Sequence, residues 1–201
     1  MKKTVLFILV VLCAYSCKNS EFTIHGSVDN KALNGKTIFI KERINREWKT
    51  IDSTIIKNQN FAFKGICDTA KIAYLTYEYL AGNRVRQPFV LEGGNLTATV
   101  DTTGFMLILG TKQNELLQSY QNDKNAFNKK SEAFYKSHKD SVKTPEQKMA
   151  FSKAIDKLNQ EEVGIDKKFS IEHVNTLVGT HVFMNSFFGF NTAEKEAVVN
   201  L

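Results

Sequence analysis

The hydrophobic period of this 201-residue chain changes once, and that change bounds the fold. Through Leu109 the apolar residues alternate with polar ones. In Phe22-Thr-Ile-His-Gly-Ser-Val28, Phe22, Ile24 and Val28 share one face, as in a half-buried strand. Further strand-like runs follow at Lys36–Arg43, Trp48–Ile56, Asn60–Gly65, Ala70–Tyr79, Pro88–Glu92, Asn95–Asp101 and Phe105–Leu109. Glycine, asparagine and aspartate separate them, and no long helical pattern intervenes. That spacing predicts an antiparallel β-sandwich and argues against alternating βαβ units.

Beyond Gly110 the period becomes helical. Leu117, Tyr120, Phe127 and Phe134 form one stripe; Phe151, Ile155, Leu158, Ile165 and Phe169 form a second. Thr144-Pro145-Glu146-Gln147 reads as a helix start, with threonine as N-cap, proline in the first turn and glutamine closing a capping box. The expectation is a helical hairpin, whose stripes are read first as core and second as a partner groove. A more apolar helix over Val174–Phe188, interrupted at Gly179, should follow. A last one, capped by Asn191 and Glu194, reaches Leu201 without a stop signal. The fold class is therefore β followed by α: a sandwich over 22–110 and a helical segment over 111–201.

The first residues do not belong to that fold. Lys2 and Lys3 precede an unbroken apolar run from Val5 to Leu12. A spanning helix needs about 20 apolar residues, so this run has the length of a signal-peptide core instead. It ends Ala14-Tyr15-Ser16-Cys17, followed by Lys18-Asn19-Ser20. This ending resembles a bacterial lipobox, with Ser16 as the small residue before the cysteine and Ala14 where leucine is commoner. The resemblance implies a signal peptide over 1–16, a lipid on Cys17 and a short tether over 17–21. The alternative is an ordinary secretory signal with an incidental cysteine. Cys13, preceded by bulky Leu12, would leave with the leader. Cys67 would then be the sole free thiol, in a strand-like context that predicts a buried, inert side chain.

The net charge of +6 includes Lys2 and Lys3, and the remaining lysines and arginines are scattered among acids. Without a basic stripe interleaved with aromatics, a nucleic-acid partner is not expected. His25, His138, His173 and His181 do not fall at metal-ligand spacing, so no metal or other cofactor is expected. There is no CxxC, no Gly-x-Ser-x-Gly and no phosphate loop, and no catalytic residue is assigned. Glu92, before Gly93-Gly94, reads as a strand-end carboxylate bonded to its turn. Trp48, Tyr74, Tyr77 and Tyr79 are candidates to line a sugar or peptide surface, although aromatics favour strands in any case.

Several segments together resemble the N-terminal domain of unknown function of Bacteroidetes lipoproteins, which often precedes an AhpC/TSA thioredoxin-like, ResA-type domain. They are Phe22-Thr-Ile-His-Gly26, Asp52-Ser-Thr with Asn58-Gln-Asn-Phe61-Ala-Phe63-Lys-Gly65, Phe89-Val-Leu-Glu92-Gly-Gly94 and Gly110-Thr-Lys-Gln-Asn114. Relatives often carry glycine after the asparagine of the second segment, where this chain has Gln59. If that position has positive φ, glutamine costs roughly 1 kcal/mol relative to glycine. The resemblance implies residence in the cell envelope, facing the periplasm from the inner or outer membrane. It also implies a thioredoxin-like domain or redox protein as partner. No CxxC module occurs by Leu201, so the chain is expected to be either a standalone form or the N-terminal part of a longer thiol–disulfide oxidoreductase.

Asp followed by Ser or Thr and then an apolar residue or Thr occurs at Asp52, Asp68, Asp101 and Asp140. This resembles the O-glycosylation signal of exported Bacteroidetes proteins, and it implies Ser53, Thr69, Thr102 and Ser141 as acceptors at exposed turns. The competing reading is that Asp-Thr pairs simply cap turns. The function expected from the sequence is a non-enzymatic, membrane-anchored binding or spacer module. A glycan- or peptide-binding accessory role is the further alternative.

Overall fold

The computed structural model describes residues 20–79, 83–138 and 143–199. Eight strands come first: β1 (Glu21–Val28), β2 (Thr37–Ile44), β3 (Glu47–Ile55), β4 (Asn60–Ile66), β5 (Lys71–Glu78), β6 (Arg84–Leu91), β7 (Gly94–Val100) and β8 (Met106–Leu109). They form two four-stranded sheets. Sheet I has the order β4-β1-β7-β8 and sheet II the order β3-β2-β5-β6. The expected sandwich is present with one difference: β7 runs parallel to β1, pairing Phe22 with Gly94 through Val28 with Val100. Side-chain alternation reports which face of a strand is buried and is blind to its direction.

The inward faces of both sheets make one core. Ile24, Ile38, Ile40, Leu75, Phe89 and Leu96 are all fully buried in it. Two aromatic–glycine pairs fix the register of β1 against β4. Gly26 lies opposite Phe61 and Gly65 opposite Phe22. A methyl on Gly26 would fall 2.0 Å from the Phe61 ring, so the ring occupies the space that a side chain would otherwise fill.

The β3–β4 turn places both Asn58 (φ 50°) and Gln59 (φ 62°) in the left-handed region, the geometry of a two-residue hairpin of the primed type. Gln59 is kept there by its side chain. Its Nε2 donates to the carbonyls of Val28 (3.0 Å) and Asp29 (3.1 Å), and its backbone N–H donates to Asn34 Oδ1. The turn therefore ties β4 to the end of β1, which glycine would not do.

Helices α1 (Lys112–His138), α2 (Pro145–Glu172), α3 (Leu177–Ser186) and α4 (Thr192–Val199) follow. The capping box of Thr144 and Gln147 opens α2 as expected, and Asn191 with Glu194 caps α4 in the same way. Helices α1 and α2 form the expected hairpin. Phe134 stacks on Phe151, Tyr120 donates to Asp166 Oδ1, and Lys124 bridges Glu162 and Asp166. The third helix is shorter than the sequence suggests. It starts at Leu177 behind a Thr176 cap, and Gly179 sits in its first turn because a Cβ there would meet the His173 carbonyl at 2.0 Å.

Two α1 side chains, Asn114 and Gln121, tie the helices to β6, and the buried one is Asn114. Asn114, 2% exposed, donates from Nδ2 to the Val90 carbonyl (2.8 Å) and accepts the Val90 N–H at Oδ1 (2.9 Å). Its amide thus pairs with the outer edge of β6 as a neighbouring strand would. Thr111 Oγ1 accepts a further bond from the same Nδ2. Around this clip, Val90 packs with Leu117, Phe169, Val178 and Val182. Gly110 (φ 116°) makes the entry possible, because a Cβ would lie 2.2 Å from the Asn95 carbonyl.

Replacing Asn114 by alanine strands both polar groups of Val90 in a buried site. Urea unfolding should show a loss of about 3 kcal/mol. Gln59→Gly relieves about 1 kcal/mol of backbone strain but removes two hydrogen bonds of about 1 kcal/mol each. The same measurement should find it about 1 kcal/mol less stable; a stabilised variant would show that the side-chain bonds contribute nothing.

Candidate functional site

Sheet II has two outward halves. At one end Val90 and Ile72 face the helices. At the other end the face is open. Strand register puts Phe39, Lys41 and Arg43 of β2, Trp48 of β3, Tyr74 and Thr76 of β5, and Arg86 and Pro88 of β6 on it. Trp48, 39% exposed, meets the Tyr74 ring edge-on with centroids 5.0 Å apart. The guanidinium carbons of Arg86 and Arg43 lie 5.4 and 5.9 Å from the indole centroid, and Lys41 Nζ lies 4.8 Å from that of Phe39. Such cation–π contacts contribute about 0.5–1 kcal/mol each at exposed positions. Among the described residues, no carboxylate pairs with Lys41, Arg43, Arg84 or Arg86. A depression of about 450 Å³ continues the face past Lys36, Thr37, Phe39, Lys41, Glu78 and Arg84.

Two guanidinium groups gathered on one ring repel each other, and an anion between them would relieve that repulsion. The rings beside them offer flat apolar surface. The chemistry available is therefore recognition of a negatively charged, partly apolar ligand.

Of the four aromatics singled out in the sequence, the structure brings Trp48 and Tyr74 together on this face. Tyr77 and Tyr79 are corrections. Tyr77 is 2% exposed in the sandwich core and donates to the Gly104 carbonyl, and burial pushes its pKa up to about 12. Tyr79 donates to the Thr102 carbonyl and packs against Tyr77. Lys41, Arg43 and Arg86 went unnoticed because the basic residues look scattered along the chain. The signal was present as basic pairs two apart, Lys41 with Arg43 and Arg84 with Arg86, which alternation puts on one face. The strand order that unites the pairs was not legible.

Cys67 is buried. Its Sγ lies within hydrogen-bond reach of two carbonyls, Thr69 (3.1 Å) and Leu91 (3.2 Å), which share its one S–H, and burial raises the thiol pKa. Glu92 does not bond its turn as expected: Oε1 is buried without a hydrogen-bond partner. The histidines stand apart. His25 is exposed on β1, His138 packs on Phe134, His173 ends α2 against Phe169, and His181 contacts Asn185 on α3. Among the described residues, no group of three or more His, Cys, Asp and Glu is placed to hold a metal ion.

Thr69 and Thr102 are exposed in turns, and Asp101 Oδ1 accepts from the Thr103 and Phe105 N–H groups, so this Asp-Thr pair does cap its turn. Ser53 departs from the expectation of a turn. It is exposed inside β3, opposite Phe39. The signal peptide over 1–16, Cys17 and Ser141 lie outside the described residues.

The segments that carry the family resemblance all do structural work: the Gly26–Phe61 and Phe22–Gly65 pairs, the Asn58-Gln59 turn, the buried Phe89-Val-Leu91 strand and the Gly110–Asn114 clip. Of their side chains, Ser53, opposite Phe39, stands on the open face of sheet II. Residues 22–117 match a family model described as a domain of unknown function (DUF4369), a match that takes in both Asn114 and Leu117. No curated protein matches the chain. Among solved structures, 5-hydroxyisourate hydrolase of Klebsiella pneumoniae is similar at 14% identity and a TM-score of 0.31, covering 47% of this chain and 95% of that one.

At pH 8, Ellman's reagent should modify Cys67 in native protein far more slowly than in urea-unfolded protein. Equal rates would show that the thiol is accessible as thiolate.

Proposed function

We propose that this chain, whose residues 22–117 match the DUF4369 model, is a non-enzymatic lipoprotein of the cell envelope. In this reading it is a binding module held at the membrane by a lipid on Cys17, and it presents the open face of sheet II. The observation that carries the reading is the short distance in sequence from Ser16-Cys17 to Glu21, where β1 begins. The intervening residues span roughly 3.3–3.6 Å each when extended, so an anchored sandwich would sit close against the bilayer surface. Among the described residues no helix is long and apolar enough to cross a membrane. A thioether lipid with an acylated amine would supply the attachment, at about 0.8 kcal/mol per buried CH₂.

A role beside thiol–disulfide machinery is supported only by the resemblance of the sandwich to domains that precede thioredoxin-like modules. Cys67, buried and within hydrogen-bond reach of two carbonyls, is a packing residue in that scheme. Chemistry on disulfides would belong to a partner or to a further domain. Glycans on Thr69 and Thr102 would add bulk at exposed turns and leave the open face clear, whereas one on Ser53 would stand on it.

Globomycin, which inhibits lipoprotein signal peptidase, should cause the unprocessed chain to accumulate. Cys17→Ala should move the protein from the membrane fraction to the soluble fraction. A Cys17→Ala protein still retained by membranes would remove the basis for the anchor.

A further inference from the structure

We infer that the open face of sheet II binds a carboxylate-bearing polysaccharide, with Arg43 and Arg86 taking a uronate carboxylate and Tyr74 and Phe39 stacking on pyranose faces. This deepens the preceding proposal and rests on its reading of that face as the binding surface. Three features select this ligand class.

The first is charge. Lys41, Arg43, Arg84 and Arg86 lack carboxylate partners among the described residues, and three of them are held instead on ring faces. Aromatic contact keeps each cation extended over the sheet and only weakly compensated. A carboxylate entering between Arg43 and Arg86 gains charge-assisted hydrogen bonds from both. Lys41, Lys36 and Arg84 line the neighbouring depression, with Glu78 opposite Arg84 as its one carboxylate. A ligand with one charge per repeat unit would meet a cation at successive steps, which a single small anion would not use.

The second is shape. The face is broad, shallow and made by strands packed on a solid core, so it is preformed. Flat rings on a rigid sheet suit the apolar faces of pyranoses. The exposed hydroxyls of Thr37 and Thr50 stand on outward positions of β2 and β3, where sugar hydroxyls can bond them.

The third argues against an acidic peptide. An extended peptide gains most of its affinity by pairing its backbone with an exposed strand edge. Both edges of sheet II resist that. The register of β3 against β2 shifts between Ile40 and Lys41, leaving Ile51 as the extra residue of a bulge. On the far edge, the backbone groups of Val90 are already taken by Asn114, and Pro88 has no N–H to offer. A peptide would find each edge interrupted, at Ile51 on β3 and at Pro88 and Val90 on β6.

The test uses the purified full chain and the fluorescence of Trp48, its only tryptophan. The probes are an oligogalacturonate, its fully methyl-esterified form, a poly-glutamate peptide with the same number of carboxylates, and a single-stranded oligonucleotide. Oligogalacturonate should change the emission saturably and more tightly at low salt, and each of the other three should bind at least tenfold more weakly. Arg86→Gln and Tyr74→Ala should each weaken oligogalacturonate binding at least fivefold while circular dichroism stays unchanged. Lys64→Gln, on the outer face of sheet I, should have no effect. Binding of the esterified form or poly-glutamate as tight as that of oligogalacturonate overturns the inference, as does equal oligonucleotide binding or the absence of any saturable change. Tight poly-glutamate binding alone would leave the binding-module reading standing, and the anchor is tested separately by Cys17→Ala.

Discussion

The helical half of this protein is coupled to its β-half along β6, and the buried link is one side-chain amide. Asn114 completes the hydrogen bonding of Val90 at the exposed border of β6, and the apolar contacts of Leu117, Phe169, Val178 and Val182 gather around that point. The hydrophobic contacts supply most of the adhesion, but they have no direction. The amide has one, because it bonds only when α1 leaves Gly110 at the angle that brings its first turn against β6. It also ends the sheet. A sandwich with an open border beside an amphipathic hairpin could pair with another chain; here the border is satisfied from within at Pro88 and Val90.

From the same arrangement comes the division of sheet II. The helices bury the outward side of its β5–β6 end, where Ile72 and Val90 stand. They leave the rest, where strand alternation puts Lys41, Arg43, Trp48, Tyr74 and Arg86, in solvent. The outward side of sheet I gathers no such cluster; it carries a Thr23–Asn95 hydrogen bond beside His25, Lys64 and Ile66. An asymmetric molecule results, with one aromatic and cationic face on a scaffold held together by buried motif residues.

How much of this could be read from the sequence follows from what each kind of pattern encodes. Strand-like runs separated by glycine, asparagine and aspartate marked the eight strands, although β6 begins at Arg84 and not at Pro88, and the Thr144 capping box marked α2 to the residue. The parallel pairing of β1 with β7 escaped, since direction leaves no trace in alternation. Tyr77 and Tyr79 were taken for surface residues because aromatics suit either face of a strand; only the turn at Thr102–Gly104 shows where their hydroxyls go. The basic face was invisible for a related reason. Its cations come from two strands separated by β5, and nothing in either strand announces the other. The positive φ anticipated at Gln59 is real, whereas the reason a glutamine tolerates it lies in the carbonyls of Val28 and Asp29, about thirty residues away.

The position of β1 has a consequence for how the chain assembles. It is the first strand of the fold and lies inside sheet I, yet the partner on its β7 side begins 72 positions later, where Thr23 meets Asn95. Closing so long a loop is entropically unfavourable until many other contacts are in place. A ribosome extending this chain would therefore release most of the sandwich before its first strand could be locked on both sides. Until then β1 is held on its β4 side alone, and the order of strands acts as a built-in delay.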